Sequence, residues 1–419
     1  MRVLFVSIGS YGLVLPALGA AVELARQGHT PVFLTHQRGA DLVEQAGFSC
    51  VSKVTGTSGL NIEGWWTPVQ AYPQFQLVER AIRKARPDVI VTDHFATGAI
   101  IAGRAFEVPV AVLGPVAYLY PVADCPADSA AAKIRGARYA TIMDGYQQTA
   151  QLLGLPPTDD DSPFLGDRYL LRSVPSFEVY AAALPERVRF AGACLYDVPR
   201  HDDALAAWIE SDVEGRPVAL MQIEKLFDFN DPIQAILALC EERGIRVAAA
   251  LGPGFTKYRT FATASAYIGD HLPQRQILER SRFVISTGQP TAVLGAICAG
   301  LPTLILDYGS GAAELLHCCA TAGNGAGLPG NTADADSLAP LLDRMISDDA
   351  MRSNALRVQQ AFAEVDSFAV IAEILDELVR SHARGGRRRR TSPERVAQSR
   401  QGRASASAAP RRTGTGVKR

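Results

Sequence analysis

The sequence predicts two doubly wound α/β domains in tandem, and three observations carry that prediction. Short apolar runs alternate with amphipathic stretches, twice over, as buried parallel strands and their covering helices do. The length of 419 residues exceeds one typical core and suits two. The stretch 197–215 is polar and charged, as a link between domains is.

The elements follow in order. Residues 2–8 are almost continuously apolar and form the first strand. A helix covers 14–27, because Leu18, Ala21, Val22 and Ala25 share one face, and Gly28 ends it. Residues 31–35 and 48–54 are the next strands. A helix over 75–85 is stopped by Pro87; then come a strand at 88–92, a helix at 96–106 and a strand at 108–113. Residues 129–155 read as helix, followed by an irregular, proline-containing stretch. The second half repeats the pattern, with strands at 218–223, 247–251, 283–286 and 303–306. Its helices are expected at 232–243, 274–279, 291–299, 311–322, 337–345, 350–364 and 369–380. The domains are therefore expected at 1–200 and 201–382, with a tail from 383 to 419. Ligands of such pairs bind between the domains, at the carboxyl ends of the strands.

Composition narrows the function classes. A hydrophobic fraction of 47% with 20% charged residues marks a globular chain. No apolar run reaches the length of a membrane span. The chain opens on a strand-like run rather than a signal peptide, so a cytoplasmic protein is expected. The seven cysteines include no CxxC pair, so buried thiols are expected rather than disulfides or a metal site. From Ala383 to Arg419 there are 12 Lys/Arg against one acid, whereas residues 1–382 carry 30 basic against 42 acidic groups. The body is acidic, which argues against nucleic acid as its main ligand. The tail lacks apolar residues and is expected to be disordered.

Three segments resemble the natural-product glycosyltransferases of the GT-B fold, in which two Rossmann-like domains face each other across a cleft. Gly9-Ser10-Tyr11-Gly12-Leu13-Val14-Leu15-Pro16 is similar to the family's G-H-V-x-P turn, and Glu23 to His29 to its L-x-x-x-G-H helix end. Leu184 to Gly192 resembles the approach to the second domain. The third segment runs from His271-Leu272-Pro273-Gln274 through Cys298-Ala299-Gly300-Leu301-Pro302. Together they imply this fold for most of residues 1–380.

The resemblance also implies site residues, and many positions depart from it. The family's histidine, which takes the acceptor proton, is Leu13 here, a side chain that cannot accept one. Asp93 matches the aspartate that orients this histidine, and the adjacent His94 is a candidate substitute base. The diphosphate turn corresponds to Thr287-Gly288-Gln289, before Pro290-Thr291; Pro290 brings no N–H to an anion. The ribose-binding glutamate is replaced by Gly295, the sugar-gripping Asp-Gln pair by Gly311-Ala312, and the base-stacking aromatic by His271, while Gln274 is retained. The second domain's first loop reads Gln222-Ile223-Glu224-Lys225, where the family has small residues. A carboxylate about 5 Å from a phosphate charge costs roughly 3 kcal/mol at an effective dielectric of about 20.

The expected catalytic candidates are thus Asp93, His94 and Glu224. The expected substrate- or donor-binding positions are Lys225, His271, Gln274, Thr287, Gly288, Thr291 and Asp307. His36 is either an addition to them or a solvated loop residue, and Trp65-Trp66 either line an acceptor pocket or fill a core. No metal is expected. Three functions fit: acid–base chemistry such as cyclisation or elimination on a small molecule in a repurposed cleft; sugar transfer from an unusual nucleotide-sugar donor, the one reading that needs such a cosubstrate; or a non-catalytic binding or helper role. The departures at the base, the diphosphate turn and the sugar grip favour the first.

Overall fold

A computed structural model of the chain describes residues 1–8, 10–54, 64–115, 130–197, 201–223, 231–308 and 311–390. The first half runs β1 (Arg2–Ser7), α1 (Tyr11–Arg26), β2 (Thr30–His36), α2 (Gln37–Gln45), β3 (Cys50–Val54), α3 (Pro68–Ala85), β4 (Val89–Asp93), α4 (Thr97–Phe106), β5 (Val110–Gly114), α5 (Ala130–Leu152), β6 (Arg168–Leu171) and β7 (Val188–Phe190). The second half runs α6 (Asp203–Glu210), β8 (Val218–Gln222), α7 (Pro232–Glu242), β9 (Arg246–Ala250), β10 (Ala266–Gly269), α8 (Gln274–Leu278), β11 (Ser281–Ser286), α9 (Pro290–Cys298), β12 (Thr303–Asp307), α10 (Ala312–Ala322), β13 (Gly325–Pro329), α11 (Ala335–Ser347), α12 (Asp349–Ala363) and α13 (Ser367–Arg390).

Two parallel sheets result. Their strand orders are β3-β2-β1-β4-β5-β6-β7 and β10-β9-β8-β11-β12-β13. In β1 every residue from Val3 to Ser7 is buried, which explains its unbroken apolar run. Register is held by side-chain fit: Phe5 pairs with Phe33 across β1 and β2, and their rings stack at 4.9 Å. The first sheet changes direction between β1 and β4, the second between β8 and β11. At such switch points the loops leave to opposite faces and open a crevice at the strands' carboxyl ends.

Several elements escape the sequence reading. β6, β7 and β10 have four residues or fewer, too short for a period to show. β13 reads Gly-Ala-Gly-Leu-Pro, without the branched residues that mark strands. Helix α6 lies inside the expected link, and its Leu205 packs with Val218 and Leu220 of the second half. The last helix differs most from expectation. α13 crosses back, burying Ile371, Ala372, Leu375 and Leu378 in the same cluster as Val3, Phe5 and Leu18. By packing it belongs to the first half, not to the domain expected at 201–382. It also runs on to Arg390, into the stretch expected as disordered tail, where a helix already formed is extended. No helix among the described residues is long and apolar enough to cross a membrane.

Gly19 makes the return of α13 possible. A Cβ there would lie 2.1 Å from Cζ of Phe368. Gly19→Leu is expected to cost about 1–3 kcal/mol through overpacking. The check is urea unfolding together with proteolysis: the midpoint should fall and α13 should be clipped first. Unchanged values for both would show that α13 is not docked there.

Candidate active site

The cleft between the two halves has a volume of about 880 Å³. Its walls come from strand ends, as the topology requires. The first half contributes the start of α1, the turn after β4, Pro115 after β5 and Arg172 after β6; the second contributes the loops after β10 and β11, with Tyr308 after β12.

Leu13, the residue expected at the family's base position, lines the cleft. Behind it is a void of about 10 Å³ that it shares with Asp93 and Arg172. Asp93 borders this void and does not line the main cleft. Its carboxylate accepts the backbone N–H of Ile8 at 2.8 Å and that of Phe95 at 2.9 Å. Burial pushes its pKa up to about 6, against the lowering effect of those bonds and of the Ser7 hydroxyl. Asp93 therefore ties β1 to the turn after β4, work it can do with no histidine beside it.

His94 does line the cleft, its ring tilted against that of Phe95 with centroids 3.9 Å apart. It is only 2% exposed. Burial, then the Arg172 charge, pushes its pKa down to about 3, against a hydrogen bond to the Leu113 backbone. At neutral pH the ring is uncharged and a weak base. Thus neither candidate of the first half has the pKa near 7, together with open access, that a general base wants.

On the donor side, His271 lines the cleft and meets Tyr11 of α1 edge-on at 4.9 Å, joining the two halves. The turn after β11 is held by its own side chains. Ser286 Oγ accepts the Gly288 N–H at 3.0 Å and donates to Gln289 Oε1 at 2.8 Å, while Gln289 Nε2 donates to Thr287 Oγ1 at 2.5 Å. Gly288 has φ +79, and a Cβ there would lie 2.3 Å from Cβ of Ala312. That glycine is required by backbone conformation and by the approach of α10, whatever binds. Pro290 is the first residue of α9, and the first turn closes with the Val293 N–H on the Gln289 carbonyl at 3.0 Å. The amides of Thr291 and Ala292 precede that bond and have no intrahelical acceptor. Thr291 lines the cleft, and its Oγ1 is buried without a hydrogen-bond partner.

Gln274 does more than begin α8. Its Nε2 donates to the Thr291 carbonyl at 3.1 Å, and a Cβ on Gly295 would lie 2.3 Å from that same nitrogen. The Gln274 carboxamide therefore occupies the space into which a side chain at 295 would grow.

The remaining candidates are scattered. Asp307 ends β12 partly buried but outside the cleft lining, where its neighbour Tyr308 stands. His36 caps α2 by accepting the Arg38 N–H at 3.4 Å and does not reach the cleft. Glu224 and Lys225 lie outside the described residues. Trp65 and Trp66 satisfy both expectations at once: they meet edge-on at 5.7 Å, Trp65 is buried in the core of the first half, and both line the cleft. Cys194, Cys240 and Cys319 are buried thiols pushed up to about 12, and Cys298 to about 11. Arg172 was not anticipated at all, because the four-residue strand that delivers it was not recognised.

Two doubly wound parallel sheets, with their switch points facing across a ligand-sized cleft, define the GT-B fold, and the chain has that fold. No family model matches the chain. It is similar to the demethyllactenocin mycarosyltransferase of Streptomyces fradiae, 22% identical over 424 residues that cover 90% of this chain and 86% of the relative. Among solved structures it is similar to the glycotransferase of kitacinnamycin, with a TM-score of 0.72 at 16% identity, covering 90% of this chain and 99% of that one. It is also similar to the glycosyltransferase VinC in complex with dTDP, with a TM-score of 0.66 at 16% identity, covering 92% and 100%. The likeness to antibiotic glycosyltransferases thus spans nine-tenths of the chain.

Proposed function

We propose that the protein is a glycosyltransferase that moves a sugar from a nucleoside-diphosphate donor to a small natural-product acceptor. The observation that carries this reading is the pairing of Gln274 with Gly295. The family's ribose-binding carboxylate is absent at 295, but a hydrogen-bonding carboxamide fills its space. One polar group has replaced another, so the position still offers a donor and an acceptor. The start of α9 supports the same reading. Pro290 removes one N–H, yet the Thr291 and Ala292 amides and the Thr291 hydroxyl remain for a diphosphate at the positive end of the helix.

Acid–base chemistry without a sugar, which the sequence favoured, finds little support among its described candidates. Asp93 is committed to backbone amides and faces away from the main cleft. His94 is neutral and poorly basic.

Calorimetry with UDP and TDP tests the proposal. One of them is expected to bind in the micromolar range, and Gln274→Ala is expected to weaken it about ten-fold or more, the equivalent of roughly 1.4 kcal/mol. No heat with either nucleotide up to millimolar concentration would remove sugar transfer from a nucleotide donor.

A further inference from the structure

The geometry points to Arg172 as the binding site for a carboxylate on the acceptor, at the inner end of the cleft. The inference rests on the glycosyl-transfer reading above and names its acceptor class.

Arg172 is 3% exposed. Its Nε donates to the Ala193 carbonyl at 3.0 Å, while Nη2 has no hydrogen-bond partner. Guanidinium remains charged even where burial lowers its pKa, as burial does here. Among the described residues no carboxylate is ion-paired with it, although Asp93 borders the same small void. The ionisable groups felt most are the Cys194 and Cys298 thiols, which burial holds protonated at neutral pH. A buried cation with an idle donor and no ion-paired carboxylate is unfavourable unless something else supplies the anion. The open direction is the cleft, which Arg172 lines. Leu13 and Pro115 border the same small void as Arg172, and Trp65, His94 and Phe95 line the same cleft. Arg172 is the single Lys or Arg side chain of that cleft among the described residues, and Asp197, Asp202, Asp203 and Asp270 are its acids. That chemistry fits an aromatic or otherwise apolar acid. His94 cannot compete for the cation, because it is uncharged.

A carboxylate acceptor also accounts for Leu13. A carboxylic acid is ionised at neutral pH, with a pKa near 4. It has no proton to lose, so no base is required. With one oxygen held by Nη2, a lone pair on the other forms the new C–O bond at the anomeric carbon. The bond from that carbon to the diphosphate oxygen breaks, and its electron pair leaves with the nucleoside diphosphate. The product is a glycosyl ester.

Trp65 and Trp66 share the cleft with Arg172, so their fluorescence reports binding there. The full chain is titrated with benzoate and with benzamide, which share a shape and differ in charge. Benzoate is expected to bind about ten-fold tighter or more, as a charge-assisted hydrogen bond allows. Arg172→Lys should keep most of that preference, and Arg172→Met should lose it while still binding benzamide. Equal affinities in the wild type, or a preference that survives in a folded Arg172→Met, overturn the proposal. If Arg172→Met does not fold, the wild-type and Arg172→Lys titrations decide. TDP binding to the wild type separates the two readings. Benzoate preference without TDP binding sinks the glycosyl-transfer reading and leaves the anion site standing; TDP binding without benzoate preference does the reverse.

Discussion

His94→Asn is expected to make the protein more resistant to acid than the wild type. Burial and the Arg172 charge lower the folded pKa of His94 to about 3, from an ordinary 6.5. Between those values the unfolded chain binds a proton that the folded chain does not. Folded stability therefore falls as pH drops through that window, by about 1.4 kcal/mol per pH unit. Asp93 acts in the opposite sense. Its folded pKa is raised to about 6 from 3.8, so between those values the folded chain holds the extra proton and stability rises on acidification. In the wild type the two slopes offset each other between about pH 4 and pH 6. Asparagine removes the histidine slope and leaves that of Asp93. Relative to wild type, the variant should gain a few kcal/mol in total as pH falls from 6.5 to 4. Urea midpoints at half-unit pH intervals measure this. Parallel curves for the two proteins would mean that His94 titrates normally and is not buried as described.

The reading of the fold succeeded where long patterns carry it. Val3 to Ser7 and the two other central strands of the first sheet are buried on both faces, and a strand of that kind is written as an unbroken apolar run. The second sheet's central strands are legible for the same reason. Short edge strands carry too few residues to show a period, and the return of α13 depends on a contact between Gly19 and Phe368 that no local pattern encodes.

The site divides in the same way. Strand ends were legible, so His94, His271, Gln274, Thr287, Gly288 and Thr291 are all found along the cleft. Side-chain direction was not. Asp93 ends a cleft-facing strand yet points back to the Ile8 amide, and Asp307 gives way to Tyr308. Compensation was also invisible. Gly295 read alone is a lost contact; only its closeness to Gln274, which precedes it by α8, β11 and the turn after β11, shows the space to be filled. Arg172 lies far in sequence from the cleft residues it stands with, and its unpartnered Nη2 is a feature no local pattern encodes.

Leu13→His is expected to give the protein a base and with it neutral alcohol acceptors. Residue 13 and Asp93 border the same small void, so an imidazole at 13 would stand beside a buried carboxylate. With its pKa near 6, Asp93 is mostly ionised at neutral pH and can accept a ring N–H in addition to its two amide bonds. That bond would fix the tautomer and raise the imidazole's basicity, leaving the other ring nitrogen to take a hydroxyl proton. General-base assistance of this kind is worth about 10²–10⁴ in rate. The gain should appear in kcat for an alcohol acceptor, with the KM for the nucleotide sugar unchanged, and kcat should acquire a limb that rises with pH near 6–7. Asp93→Asn in the Leu13→His background should remove most of the gain, and Leu13→Gln should give none. A carboxylate acceptor has no proton to surrender and should gain nothing. If carboxylate and alcohol acceptors are accelerated alike, position 13 acts through packing rather than proton transfer, and the account of Leu13 as a discarded base fails.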